Sequence, residues 1–214
     1  MQPSAPILQA EKLCFGYLAP PAPLLFDQFS LALPPGVTWL GGGESSGKTT
    51  LLQLLAGQLP PLTGALRIHN LSLAQDRPGY CRQVGWLNPR ERALDGQTCR
   101  EIFAAQPAHH PGFEAGALQA HIEGLSLTPH LDKTLAMLST GTRRKVLMAA
   151  ALAAQTPVTL LDQPFMALDR PSIHYLLALL TKVAAHPGRA WVVADYEAPA
   201  DVELAGVIVL EAGV

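Results

Sequence analysis

Charge is scarce in this chain. Asp, Glu, Lys and Arg make up only 15% of its 214 residues, and 15 basic against 17 acidic side chains leave a net charge of −2. That balance gives no sign of the basic patch or elevated pI that a nucleic-acid binder normally shows, so no nucleic-acid partner is expected. Cysteine is almost as rare. Cys14, Cys81 and Cys99 are scattered, with no Cys-x-x-Cys pair, which argues against a disulfide framework or a zinc site and fits reduced thiols in the cytosol. Long apolar runs are missing too. The longest, Val146 to Ala154, is far short of the roughly 20 residues a spanning helix needs. The positive mean hydropathy, +0.20, comes from Ala and Leu spread along the chain. The N-terminus lacks the charged-then-apolar order of a secretory leader, so a cytoplasmic location is expected. The pair His109-His110 lies in a Pro/Gly-bounded stretch without a companion Cys/His cluster and reads as a solvated loop rather than a metal site.

What is present is more informative. Residues 42 to 49 read Gly-Gly-Glu-Ser-Ser-Gly-Lys-Thr, which fits G-x-x-x-x-G-K-[ST]. The stretch follows the apolar run Val37 to Leu40 and opens the amphipathic segment Thr50 to Ala56. Strand, glycine-rich turn and helix form the context that this phosphate-binding loop requires. Gly42 and Gly47 let the backbone of Gly43, Glu44, Ser45 and Ser46 curl so that successive N–H groups converge on one point, and the helix N-terminus adds its positive end there. Lys48 is then expected to reach the β- and γ-phosphates, with Thr49 completing a Mg²⁺ shell and Thr50 counted with the loop among the nucleotide-binding residues. ATP and Mg²⁺ are the implied ligands.

Along the chain, Ile7 to Tyr17 and Leu24 to Leu33 read as strands, separated by a Pro-rich turn at Ala19 to Pro23. Gly64 to Ala74 and Cys81 to Leu87 read as further strands. From about 88 to 138 the pattern changes to short helical pieces broken by Pro and Gly. A helix is expected after Gly141 as far as Gln155, a buried strand over Val158 to Leu161, a helix over Pro171 to Ala185, and strands over Ala190 to Ala194 and Val207 to Leu210. Alternation of strands and helices after a phosphate loop implies an α/β fold with a mostly parallel central sheet. The organisation expected is one domain over residues 1–214. Its core comprises about 1–87 and 139–214, with an antiparallel β subdomain at the N-terminus and an inserted helical subdomain over about 88–138.

Two further stretches carry chemistry. Val158 to Asp162 is an apolar strand that places the Asp162 carboxylate at its carboxyl end, where ligands bind in open α/β sheets and where it can hold Mg²⁺. Leu138-Ser-Thr-Gly-Thr142 opens a helix, and Ser139 stands 23 residues before Asp162. With these residues in order, the chain resembles the ATP-binding cassette family of transporter ATPases over nearly all its length. The resemblance implies that Tyr17 stacks on adenine and that residues 138 to 142 stand where the family has Leu-Ser-Gly-Gly-Gln. Ser139 and Gly141 are then implied to contact the γ-phosphate held by a second ATP-binding subunit, identical or not, in a head-to-tail dimer. Ala167-Leu168-Asp169 matches the family's aspartate loop. A separate transmembrane permease is implied as the other partner, and with it a position on the inner face of the cell membrane reached only through that permease.

The departures from the family pattern matter as much. Where the family has a glutamate that polarises the attacking water, this chain has Gln163, whose neutral amide cannot accept a proton. Losing a general base typically costs about 10²- to 10⁴-fold in rate. The family's switch histidine is replaced by Asp195 or Tyr196, according to alignment, and Asp195 offers a carboxylate as a displaced base. The glutamine expected after Leu87 is replaced by Asn88, Pro89 and Arg90. Ser45 stands where glycine is usual. The chain therefore reads as the ATP-binding subunit of a transporter with impaired hydrolysis, or as a regulatory nucleotide-binding module that barely hydrolyses ATP. A RecA-like recombinase matches only at the phosphate loop.

Overall fold

The computed structural model describes residues 5–17, 23–86, 88 and 92–211. Two sheets organise them. A four-stranded antiparallel sheet, in the order β2-β1-β4-β5, is built from β1 (Leu8–Phe15), β2 (Phe26–Leu33), β4 (Thr63–Ile68) and β5 (Leu71–Ser72). A five-stranded parallel sheet, in the order β6-β7-β8-β3-β9, contains β6 (Val84–Gly85), β7 (Val158–Asp162), β8 (Ala190–Ala194), β3 (Gly36–Gly42) and β9 (Leu204–Leu210). The expected α/β fold, mostly parallel with an antiparallel sheet at its N-terminal side, is the fold the chain adopts.

The central strands are largely apolar because both faces are covered. All five residues of β7 and of β8 are buried. Side chains of alternate residues then enter two different cores, as a period of two requires. Leu160, Val192 and Ala194 join the core formed with α1 (Lys48–Leu55) and the antiparallel sheet. Leu161, Trp191 and Val193 join the core formed with α3 (Cys99–His109), α4 (Ala115–Gly124), α5 (Thr140–Ala153) and α6 (Arg170–Val183).

The helices begin where local capping dictates. Thr98 and Glu101 form a reciprocal capping box on α3. Ser139 caps α5, its hydroxyl accepting from Thr142 N at 3.2 Å, so that helix starts at Thr140 rather than after Gly141. Asp169 caps α6 through Ser172 N at 2.9 Å, and Pro171 lies in its first turn.

Several expectations are corrected. Gly64 to Ala74 is a hairpin rather than one strand, because His69 turns the chain with a left-handed φ of 49°. Cys81 to Leu87 is not a strand of that length. Asp76 accepts from Gly79 N and Pro78 favours a first turn, so a short helix, α2 (Arg77–Cys81), forms instead and leaves only Val84–Gly85 to pair with β7. β9 starts at Leu204 rather than Val207. His109 ends α3 and His110 is its C-cap rather than loop. Most of the expected Pro-rich turn, together with Leu87, Pro89 and Arg90, lies outside the described residues.

Candidate functional site

Register brings the predicted residues to one end of the parallel sheet. Leu40 of β3 and Asp162 of β7 are both level with Ala194 of β8. The chain leaves these three strands as the phosphate loop, as Gln163 and as Asp195. Gln163 N donates to Ala194 O at 2.7 Å and Asp195 N donates to Leu40 O at 3.2 Å, which ties the three exits together.

The loop from Gly42 to Lys48 is shaped by glycine. Gly42 and Gly47 adopt φ of 150° and 93°, in the region that side chains disfavour. A Cβ on Gly42 would lie 2.5 Å from Ser46 Oγ and 2.7 Å from Leu210 O. Ser45 takes a left-handed φ of 59° without being glycine, a local strain of the kind that clusters at functional sites. The Ser46 hydroxyl is buried inside the loop with no hydrogen-bond partner among the described residues. The N–H groups of Lys48, Thr49 and Thr50, at the start of α1, have no acceptor within the helix.

Lys48 is nearly buried, at 6% exposure. Its ammonium donates to Gly42 O at 2.6 Å and Gly43 O at 2.7 Å. Burial lowers its pKa, opposed by the charges of Asp162, Asp195 and Glu44. Thr49 donates its hydroxyl to Asp162 Oδ2 at 2.9 Å, so two hard oxygen ligands of the type Mg²⁺ prefers stand together. Tyr17 is exposed, its hydroxyl 2.6 Å from Thr50 Oγ1 and its ring edge-to-face with Phe15.

A cleft of about 400 Å³ collects Tyr17, residues 44–50, Gln163, Met166 and Tyr196. Gln163 is buried with a left-handed φ of 48°. Its carbonyl and that of Asp162 accept from Arg144 Nη1 at 3.1 and 2.9 Å, and Arg144 Nη2 reaches Met166 Sδ at 3.4 Å. Asp195 sits at the edge of the cleft, close enough to Lys48 and Asp162 to feel their charges. Its carboxylate accepts from Tyr196 N at 2.8 Å and it lines a neighbouring apolar groove with Phe165 and Leu177. Burial raises its pKa, partly offset by the Tyr196 N–H and Lys48. Tyr196 lines both that groove and the cleft.

Ser139 and Gly141 do not line that cleft. Ser139 is exposed at the start of α5. Gly141 is buried directly under Ala167 O, where a Cβ would collide with the backbone. Beside it, Lys145 pairs with Asp169, so the first turns of α5 grip the whole 162–169 loop. Met166 and Arg144 had no sequence signal as site residues. Arg144 lies inside the Ser139 stretch, and its contacts to β7 cross 18 positions of sequence.

Residues 26–166 match the ABC transporter family. The cytochrome c biogenesis ATP-binding export protein CcmA of Pseudomonas putida is 33% identical over 76% of this chain and 77% of its own length. The CcmA of Legionella pneumophila is 32% identical over 84% and 86%. The thiamine import ATP-binding protein ThiQ of Vibrio cholerae is 29% identical over 79% and 72%. Among solved structures, an ATP-binding subunit of an ABC transporter superposes with a TM-score of 0.76 at 22% identity, over 89% of this chain and 79% of the other. A dimeric post-hydrolysis state of the ATP-binding cassette MJ0796, bound to ADP and Pi, gives 0.72 at 21% identity, over 89% and 88%. The chain belongs to the ABC transporter family. Within that family it is the ATP-binding component of a transporter, with the P-loop ATPase fold, and no helix among the described residues is long and apolar enough to cross a membrane.

Proposed function

We propose that this chain is the ATP-binding subunit of an export-type ABC transporter whose cassette binds Mg-ATP firmly and hydrolyses it slowly. The carrying observation is the Thr49–Asp162 hydrogen bond at the mouth of the glycine loop. The donor set suits the ligands. Glycines where a Cβ would clash, helix N–H groups and the orphaned Ser46 hydroxyl suit a polyphosphate, and Thr49 with Asp162 suits Mg²⁺. When bound, the metal would neutralise charge developing on the transferred phosphoryl group. Lys48 would bind the β- and γ-phosphates, Tyr17 would stack on the base, and Gln163 would orient a water at the γ-phosphate without taking its proton. The export reading rests on the CcmA relatives, which outnumber the importer ThiQ among the most similar sequences.

A second ATP-binding subunit would supply Ser139 and Gly141 to the γ-phosphate across a dimer interface, and a separate permease would take up the closing motion. Exposure of Ser139, outside its own chain's cleft, supports that arrangement. Calorimetric titration with Mg-ATP, followed by sedimentation, tests both statements. Binding with dimer formation supports them, and neither binding nor dimerisation refutes them.

A second reading, a regulatory module that lends its signature helix to a competent partner, is favoured by Gln163 specifically. Residual turnover then locates the base. A fall in rate in Asp195→Asn would make Asp195 the proton acceptor, whereas an unchanged rate leaves the proton to bulk water.

A further inference from the structure

Tyr196 is half-exposed, yet its ring covers the most important cation in the molecule. Lys48 Nζ lies 4.6 Å from the ring centroid. An ammonium carries three N–H donors and no acceptor. Here two of them are used on Gly42 O and Gly43 O, and the ring face meets the third direction. The ammonium is thereby held by its own protein on two carbonyls and one ring face. Of the three partners the ring is the weakest, because cation–π attraction at a partly exposed site falls below a charge-assisted hydrogen bond. It is also the one that borders the open cleft.

Resting on the reading of this cleft as a polyphosphate site, we propose that Tyr196 is a positioning residue that parks Lys48 against its own loop, so that an incoming phosphate must displace the ring. The position of Tyr196 follows from the exit of β8. Asp195 turns its carboxylate back to Tyr196 N, and that turn sends the next side chain over the loop. The ring is a gate on the phosphate end of the site and has no part in recognising the base.

The test uses Tyr196→Phe, which keeps the ring, and Tyr196→Leu, which keeps apolar bulk without it. Lys48 reactivity toward an amine-modifying reagent, read by peptide mass spectrometry, needs no nucleotide. The proposal expects Tyr196→Leu to raise that reactivity about three- to tenfold and Tyr196→Phe to match the unaltered chain. Affinity for inorganic tripolyphosphate should tighten in Tyr196→Leu by a similar factor and stay constant in Tyr196→Phe. Equal behaviour of the two variants in the reactivity measurement, or weaker tripolyphosphate binding in Tyr196→Leu, overturns the proposal. If no variant binds tripolyphosphate while the reactivity pattern holds, the phosphate reading of the cleft fails and the parking of Lys48 stands.

Discussion

Thr49 and Asp162 are 113 residues apart in sequence, yet the threonine hydroxyl donates to the aspartate carboxylate across 2.9 Å. One group opens the first turn of α1 and the other ends β7. Parallel pairing of β3, β8 and β7 holds those two ends level, so the pair exists before any ligand arrives. Preorganised oxygen ligands cost little to assemble at the moment of binding.

Thr49→Val removes the hydroxyl and keeps the branched shape. ATP affinity should then fall by roughly tenfold in Mg²⁺, about 1.4 kcal/mol, and change little in EDTA. Calorimetric titration in the two buffers checks this. An equal loss in both would place the role of Thr49 in the fold rather than in metal binding.

Gly141 has no room for a side chain, because the backbone of Ala167 sits on it. Gly141→Ala should push the 162–169 loop away from α5 and cost about 1–3 kcal/mol by overpacking. Denaturant unfolding measures it. A stability unchanged to within a few tenths of a kcal/mol would mean the loop yields freely.

Asp169 both caps α6 through Ser172 N and pairs with the buried Lys145 ammonium. Asp169→Ala therefore loses a cap, worth about 1 kcal/mol, and also leaves a buried ammonium without its partner. Lys145→Met removes the cation and leaves the cap in place. Asp169→Ala should be the more destabilising of the two by about 1 kcal/mol or more. Thermal melts of both variants give the order, and the reverse order would refute it.

His121 lies buried between α4 and α6, its Nδ1 2.8 Å from Tyr175 Oη. Burial pushes its pKa down to about 4. The unfolded chain therefore binds a proton near pH 6.5 that the folded chain refuses until about pH 4. Stability is complete above pH 6.5 and falls with acidification through that window, by on the order of 3 kcal/mol from this one group. His121→Gln should flatten the decline between pH 6.5 and 4 in urea titrations. An undiminished decline would assign the acid sensitivity elsewhere.

The phosphate loop and Asp162 were legible because each is a short-range pattern, a glycine spacing in one case and an apolar run with a terminal carboxylate in the other. The central strands were legible for the same reason, since burial on both faces leaves continuous apolar stretches. What escaped depends on longer-range facts. β6 is a strand only because β7 pairs with it, and the Asp76–Pro78 cap signal before it was outweighed by the apolar residues that followed. Which of Asp195 and Tyr196 lines the cleft depends on the turn beyond the end of β8, where the Asp195 carboxylate accepts from Tyr196 N. The grip of Arg144 and Lys145 on the 162–169 loop needs α5 to lie across the end of β7, which no local pattern encodes.

Steady-state ATP hydrolysis by the unaltered chain, beside Gln163→Glu and Lys48→Ala, bears most directly on the proposal that this cassette binds ATP but lacks its base. Restoring the carboxylate should raise turnover at least about tenfold, and Lys48→Ala should abolish it. Turnover already near a typical enzymatic rate, about 10 s⁻¹, with no gain in Gln163→Glu, would contradict the account.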